Sequence, residues 1–207
     1  MREALKATGR LVALILVLPL AASCWVFRTI GLSDTNLFRM WGQVLALLPG
    51  GPGVYLRRAY YSLMLEACSN DCHIGFGTLI SHRRVRIESG VYIGNYGLLG
   101  HVILREGCMI GSRVSIVSGK NQHRFDGQGK WLPSNLDDFV RIEVGEYAWV
   151  GEAAVVMADV GKATAIAAGA VVSHNLPDYV VVAGNPARLV RKLEVATTQD
   201  QGEDALP

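Results

Sequence analysis

His123 is the side chain in this sequence best placed to move a proton. It lies in the polar stretch Ser118–Asp126, which reads SGKNQHRFD. An imidazole titrates near neutral pH, so it can take the proton of a hydroxyl group that attacks a carbonyl carbon. Asn121 or Asp126 can fix the tautomer of His123 by accepting its second ring proton. We therefore expect His123 to be a general base, with Asn121 and Asp126 at the substrate.

The remaining histidines have an ordinary structural explanation, because they fall in or beside regular repeats. They are His73, His82, His101 and His174. A zinc site made of three histidines needs closely spaced pairs, and the nearest spacings here are nine and nineteen residues. We therefore expect no metal.

The cysteine pattern gives the same expectation. Cys68 and Cys72 precede His73, but no second cysteine pair follows at the spacing of a structural zinc site. The four cysteines are therefore expected to be reduced and buried, as in a cytoplasmic domain.

The charge distribution argues against nucleic acid as a partner and favours a membrane surface. The net charge is +2, but residues 1–66 contain seven Lys/Arg and three Asp/Glu. No basic run is interleaved with aromatic residues, as is common in nucleic-acid-binding segments. A basic segment beside apolar sequence is typical of contact with anionic lipid headgroups.

From His73 onward, aliphatic residues recur in steps of six. The steps run 74–80, 87–93–99, 104–110–116, 144–150–156 and 160–166–172. Residues six apart in an α-helix lie on opposite faces, so this period excludes a helix. It predicts short strands and turns that stack as coils around one apolar core. The predicted fold is an all-β solenoid over residues 69–193.

One long segment, residues 117–141, lacks the six-residue period and contains His123. A long polar loop that leaves a repeat scaffold usually carries binding or catalytic residues. We therefore expect residues 117–141 to form the catalytic loop. Residues 194–207 are acidic and aperiodic, which predicts a flexible tail.

Residues 1–68 are predicted to form a separate apolar and helical segment. Leu11–Phe27 comprises seventeen uncharged residues interrupted by Pro19, with basic residues on both sides. A signal peptide, a spanning helix and a re-entrant or interfacial anchor all fit this length. Periodicity predicts helices over 36–48 and 54–68. Their Arg and Tyr residues suit a headgroup boundary, and packing of this helical pair on its own domain is the alternative.

The C-terminal repeats contain Trp149-Val150-Gly151, Ile166–Val172 and Val182–Arg188, the last reading VAGNPAR. Together with the six-residue repeat, these motifs resemble the hexapeptide-repeat acyltransferases over about residues 74–192. The branch that this chain resembles contains galactoside, maltose and xenobiotic O-acetyltransferases and those acting on exopolysaccharides. The resemblance implies a left-handed parallel β-helix and a homotrimer with active sites between subunits. It also implies transfer of an acetyl group from acetyl-CoA to a sugar or glycan hydroxyl.

The resemblance further assigns residues to a CoA site. Trp149 is expected beside the pantetheine arm or the acceptor cleft. Gly151 and Ala168 match small positions where the cofactor approaches the backbone. Arg188 and Arg191 match a basic end that can bind the CoA phosphates.

Three further points concern the acceptor and the base. Asn95, at the corner of an earlier coil, is a candidate for holding the acceptor. His174 stands where many relatives have a lysine near the phosphates. His123 matches the catalytic histidine, and a thioester is activated enough that no covalent enzyme nucleophile is needed.

Because acyl-CoA is a cytoplasmic donor, the solenoid should face the cytoplasm. Spanning by Leu11–Phe27 would then place the basic residues before it outside, against the positive-inside tendency, and a signal peptide would export the enzyme. We expect a kink at Pro19 to return both basic ends to the cytoplasmic face of the inner membrane, near a lipid-linked sugar.

Fold alone does not determine function, and two other functions fit the same solenoid. One is a non-catalytic scaffold of a polysaccharide-assembly complex, which would not need His123. The other is a γ-type carbonic anhydrase, which the histidine spacing disfavours.

Overall fold

The structure is a computed structural model that describes residues 2–119, 123, 125–133 and 139–194. Three helices come first: α1 (Arg2–Thr29), α2 (Thr35–Ala46) and α3 (Gly50–Met64). Short strands follow in the described residues: β1 (Ala67–Cys68), β2 (His73–Ile74), β3 (Leu79–Ile80), β4 (Arg86–Ile87), β5 (Tyr92–Ile93), β6 (Leu98–Leu99), β7 (Val102–Leu104), β8 (Met109–Ile110), β9 (Ser115–Ile116), β10 (Ile142–Val144), β11 (Trp149–Val150), β12 (Val155–Val156), β13 (Ala165–Ile166), β14 (Val171–Val172), β15 (Val180–Ala183) and β16 (Arg188–Lys192).

The strands stack as a parallel solenoid of about six turns, which confirms the predicted fold. Sheet A has the order β1-β4-β7-β10, sheet B the order β16-β15-β13-β11-β8-β5-β2, and sheet C the order β14-β12-β9-β6-β3. The chain passes from A to B to C in each of the first four turns, and isolated bridges at Val160 and Leu176 extend sheet A beyond β10. We name the three edges of this prism AB, BC and CA after the sheets that they join.

The six-residue step works because one residue of each two-residue strand points inward. In sheet B the inward residues are Ile74, Ile93, Ile110, Val150 and Ile166, and all are fully buried. The parallel register pairs each of them with the corresponding residue of the next coil. Burial of a column of aliphatic side chains supplies the main stabilising free energy of such a fold.

Helices α2 and α3 pack on the first coil, and Arg57 of α3 joins them to it. Arg57 is fully buried. Its Nε donates to the carbonyl of Ile74 at 2.9 Å, and its Nη1 donates to the carbonyls of Leu45 and Leu48 at 3.1 and 2.7 Å. Burial lowers the pKa of Arg57. The guanidinium thus joins the last turn of α2 and the residues directly after it to the first coil.

Several expectations for the helices differ from the structure. Arg57, Tyr60 and Tyr61 are completely buried, so they do not lie at a headgroup boundary. The reason is that α3 turns this face onto α2 and the first coil. Helix α3 begins at Gly50 rather than Val54, since Pro52 lies in its first turn, where a proline loses no helical hydrogen bond.

Helix α1 continues through Pro19 without a break, and the kinked membrane insertion stays a prediction. Packing against α3 and α2 continues on both sides of the proline, where Val17 and Ala21 are buried. The 24 residues Lys6–Thr29 are long and apolar enough to cross a membrane, judged by length and composition alone, and 22% of the most apolar window is buried.

Candidate functional site

The loop that contains His123 leaves the solenoid at the CA edge, between β9 and β10. Its two ends are held side by side. Ser118 Oγ accepts a hydrogen bond from the His101 backbone N–H at 2.9 Å, and the Val140 N–H donates to the Ser118 carbonyl at 3.1 Å. The loop is therefore fixed to the coil at its roots.

Residues Phe125–Trp131 form a short antiparallel hairpin within the loop. A bridge pairs Phe125 with Trp131, and their ring centroids lie 5.4 Å apart at an interplanar angle of 62°. Asp126 Oδ1 accepts hydrogen bonds from the backbone N–H groups of Gln128 and Lys130 at 2.7 and 3.1 Å. The carboxylate of Asp126 therefore stabilises the turn of the hairpin.

His123 is exposed beside this hairpin, and its Nδ1 lies 3.3 Å from the Leu132 carbonyl oxygen. A carbonyl oxygen only accepts, so this hydrogen bond requires a proton on Nδ1 and leaves the Nε2 of a neutral imidazole unprotonated. In this structure the group that fixes the tautomer of His123 is therefore the Leu132 carbonyl. Asn121 lies outside the described residues, and the role of Asp126 at a substrate stays a prediction.

The residues predicted for a cofactor lie on a different side of the prism. Trp149 is 54% exposed on the outer surface of sheet B, between Met109 and Ala165 of the neighbouring coils, rather than at a corner. Gly151 and Ala168 lie on the BC edge. A Cβ on Gly151 would approach the Ala168 nitrogen to 2.5 Å. Coil stacking therefore requires glycine at 151 regardless of any cofactor.

Asn95 and the two arginines also lie away from the loop. On the BC edge, Asn95 Oδ1 accepts a hydrogen bond from the Phe76 N–H at 2.9 Å, which connects the first two coils. Arg188 and Arg191 are exposed on β16, which runs antiparallel to β15 at the end of sheet B. The structure thus separates the predicted residues into the His123 loop at the CA edge and a second group on sheet B and the BC edge.

Two clefts flank the roots of the loop along the CA edge. The cleft on the C-terminal side has a volume of about 480 Å³ and includes Gly119, Met157, Asp159 and His174. There His174 Nδ1 lies 2.9 Å from Ser173 Oγ.

The cleft on the N-terminal side has a volume of about 520 Å³ and lies where α2 meets the coils. Its lining includes Arg39, His82, Arg83, Arg84, His101 and Phe139. We call it the basic cleft. Burial lowers the pKa of His82, and the nearby Arg39 and His101 lower it further. The pKa of His101 is lowered by burial and then by Arg141.

Sequence reasoning missed the basic cleft. Its residues come from α2, two coil corners and the end of the loop, and only their packing brings them together. The run Arg83-Arg84, with a third arginine at Arg86, was the available signal.

The cysteines and histidines do not assemble a metal site in the described part of the chain, where no group of three or more potential ligands is found. Cys68 and Cys72 lie with their Sγ atoms 3.8 Å apart, within a weak hydrogen bond.

Comparison with known proteins places this arrangement among acetyltransferases. No family model matches the chain. A serine acetyltransferase from Bacillus subtilis is 30% identical over 182 residues, which cover 85% of this chain and 73% of the relative. A serine acetyltransferase from Arabidopsis thaliana is 32% identical over 115 residues, or 53% of this chain. That alignment covers only 33% of the plant protein, so the chain spans about a third of its length.

Solved structures share the fold. A maltose O-acetyltransferase from Clostridium difficile aligns with a TM-score of 0.59 at 17% identity, over 78% of this chain and 89% of that one. A hexapeptide-repeat acetyltransferase from Vibrio cholerae, solved with acetyl coenzyme A, aligns with a TM-score of 0.54 at 18% identity, over 77% and 89% of the two chains.

Proposed function

The chain belongs to the hexapeptide-repeat acetyltransferase family, and from this premise we propose that it transfers an acetyl group from acetyl-CoA to a hydroxyl group. The observation that carries the proposal is the loop at the CA edge, which presents His123 with Nδ1 bonded to the Leu132 carbonyl. The unprotonated Nε2 is then available to accept the acceptor's proton.

The proposed reaction needs no covalent enzyme intermediate. The acceptor oxygen attacks the thioester carbonyl carbon while its proton moves to Nε2 of His123. The C–S bond then breaks, and the imidazolium returns the proton to the departing thiolate, which yields the acetyl ester and free CoA. Positioning of both substrates beside His123 supplies the rest of the acceleration.

The second group of residues provides support for CoA as the donor. Arg188 and Arg191 are exposed on β16, and neither forms an ion pair in the described residues. Exposed guanidinium groups that form no ion pair can bind a phosphate through two parallel hydrogen bonds. Trp149 offers an exposed apolar face beside which a pantetheine arm can lie.

We propose a sugar or glycan as the acceptor, in polysaccharide or glycan biosynthesis. Trp131 and Phe125 are 71% and 55% exposed on the hairpin beside His123. Exposed aromatic rings next to a base can pack against the apolar face of a sugar while its hydroxyl groups remain free. The maltose acetyltransferase that shares the fold supports this choice of acceptor. A scaffold protein would require neither the base nor these rings.

We propose that the active enzyme is a homotrimer. Tyr92, Met109 and Trp149 form an exposed stripe along the outside of sheet B, each about half exposed. Such a stripe fits burial against another copy. Within one chain the sheet B residues lie away from the His123 loop. In a trimer, the sheet B residues of a second copy can lie beside that loop.

We propose that α1 lies in the plane of the membrane at the cytoplasmic face of the inner membrane. One side of α1 is buried on α2 and α3, while the other exposes apolar residues, among them Leu11, Ile15 and Leu16 at 60 to 61%. Because α1 packs along α3, an α1 that spanned the membrane would place α3 and the first coil inside the bilayer. An in-plane helix avoids this cost.

Turnover by the His123→Ala variant tests the proposed chemistry. We expect kcat for transfer from acetyl-CoA to maltose, a galactoside or serine to fall about 100-fold or more, because the base is lost. The Kd for acetyl-CoA should not change. His73→Gln is the control, since His73 lies on sheet B, stacked on Tyr92. Near-normal turnover in His123→Ala, with whichever of these acceptors is used by the wild type, would contradict the assignment.

A further inference from the structure

The basic cleft lies between α2 and the end of the loop that contains His123. Arg39 extends from α2, while His82, Arg83 and Arg84 come from the first CA corner. The far wall is Phe139, whose ring lies 5.1 Å from that of His82. A ligand in this cleft would therefore contact the segment that follows the His123 hairpin.

The charges in the cleft favour an anion. None of its lining residues is acidic. The Asp34 carboxylate pairs with Arg83 at 2.8 Å, whereas Arg84 is exposed and has no carboxylate partner in the described residues. Arg39 uses Nε to bond the Ser81 carbonyl at 3.1 Å. Within the part of the chain that the structure describes, Arg39 and Arg84 thus have no compensating negative charge.

Two buried nitrogens in the cleft also lack partners. Nε2 of His101 and Nε of Arg83 are buried and have no hydrogen bond among the residues that the structure describes. Buried polar groups are normally satisfied, so an unpaired group needs an explanation. A ligand with several acceptor oxygens and negative charge, such as a phosphate, matches both the charge and the unpaired Nε–H donor of Arg83.

We propose that the basic cleft binds the phosphate or diphosphate group of the acceptor, which would make the acceptor a phosphate-linked sugar. The inference rests on the proposed function, since it names the acceptor of that reaction. The position of the cleft supports it. Met40 and Val44 are exposed on α2 and Leu47 is exposed directly after it, next to the helix face that holds Arg39. A phosphate at the headgroup level would then lie at the cleft while its sugar reaches the loop.

The CoA phosphates are a competing occupant, and they are disfavoured by location. The basic cleft lies on the CA edge among the first coils, whereas Arg188 and Arg191 lie on β16 at the other end of sheet B. An experiment must still separate the two, because CoA carries phosphates of its own.

Binding of inorganic pyrophosphate to the full-length protein in mild detergent, measured calorimetrically with saturating CoA, tests the proposal. We expect wild type to bind, Arg84→Gln to weaken binding at least fivefold, and Arg39→Gln combined with it to weaken binding further. Lys162→Gln is the control, because Lys162 pairs with Glu146 on the AB edge. It should bind like wild type.

Three outcomes would overturn the proposal: no pyrophosphate binding by wild type, equal weakening by Lys162→Gln, or a matching loss of acetyl-CoA affinity in Arg84→Gln. The last would assign the cleft to CoA. If acetyl-CoA binds but diphosphate does not, this inference fails while the proposed function stands. If diphosphate binds but acetyl-CoA does not, the proposed function fails.

Geranyl diphosphate and UDP, titrated in the same way, distinguish the source of the phosphate. Tighter binding of geranyl diphosphate than of UDP supports a lipid-linked sugar, and the reverse supports a nucleotide-linked sugar. Either result upholds a phosphate-bearing acceptor, provided that Arg84→Gln weakens the binding. Insensitivity of both ligands to Arg84→Gln would contradict it.

Discussion

Some residue types in this protein are required by packing, although the sequence alone suggests a functional reason for them. The resemblance of the sequence to the family predicts that the cofactor approaches the backbone at Gly151. In the structure it is one of a stack of BC-edge glycines that lie against the next coil, together with Gly75, Gly94 and Gly111. The absence of a side chain at 151 is thus explained by packing, and a cofactor contact would be a second use of the same space.

Gly151→Ala should destabilise the solenoid because the new Cβ would approach the Ala168 nitrogen to 2.5 Å and the Ile166 carbonyl oxygen to 2.6 Å. Both atoms are backbone, so the coils must shift. We expect a loss of about 1–3 kcal/mol, typical of overpacking, measured by denaturant unfolding. Gly51→Ala is the matched control, since nothing lies within 4 Å of its Cβ position. Equal stability of both variants would contradict the packing argument.

His123 shows how far a single residue can be assigned from the sequence. Its location on a break in the repeat identified it as the candidate base. Its hydrogen-bond partner was not predictable, because the Leu132 carbonyl is brought to it by the turn at Asp126. Every residue has a backbone carbonyl, so the residue types in a sequence do not reveal which carbonyl will accept a given hydrogen bond.

At the scale of elements, the solenoid was predictable and the helical cap was only partly so. The six-residue step directly reports which residues point inward, since each coil repeats the same geometry. Helical periodicity, by contrast, gives an apolar face without naming its partner. Arg57 and Tyr60 therefore suggested a membrane boundary, although the structure buries Arg57 between α2 and the first coil and Tyr60 against α1 and α2. The basic cleft depends on the same packing and was missed for that reason.

The outer face of α1 should govern attachment to lipid. Replacement of Leu11, Ile15 and Leu16 by Gln removes exposed apolar surface without altering the buried side formed by Ala13, Val17 and Ala21. We expect binding to vesicles containing anionic lipid to fall at least tenfold, because burial of about three large aliphatic side chains is lost. Co-sedimentation with vesicles measures this.

A control is available on another apolar surface. Leu189→Gln changes a side chain that is 58% exposed on β16, at the end of the solenoid opposite the helices. It should leave vesicle binding unchanged. Equal loss in this variant, or wild type that does not sediment with vesicles, would contradict in-plane attachment.

At the scale of the whole molecule, the separation of the predicted site residues onto different edges has a direct consequence. If the His123 loop of one copy meets the sheet B residues of the next, neither copy contains a complete site. Two variants that are each inactive should then restore activity when mixed, because some interfaces combine the intact halves.

Mixing His123→Ala with Trp149→Ala after dissociation and reassembly tests this. Random assembly gives intact halves at about a quarter of the interfaces, so we expect about a quarter of wild-type turnover. We also expect the wild type to sediment as a trimer in mild detergent. No recovery in confirmed mixed trimers, or full activity in a monomer, would show that the site lies within one chain.

The strand pairing around the catalytic loop has an evolutionary implication. Ile142, Glu143 and Val144 pair in register with Val102, Ile103 and Leu104, although the whole of 117–141 intervenes between β9 and β10. The inward column of side chains continues as if the insertion were absent. Doubling the length of such a loop costs only about 0.6 kcal/mol of closure entropy. Natural variation can therefore lengthen, shorten or exchange this segment, and under the proposed function the acceptor with it, while the stacked coils on either side keep their pairing.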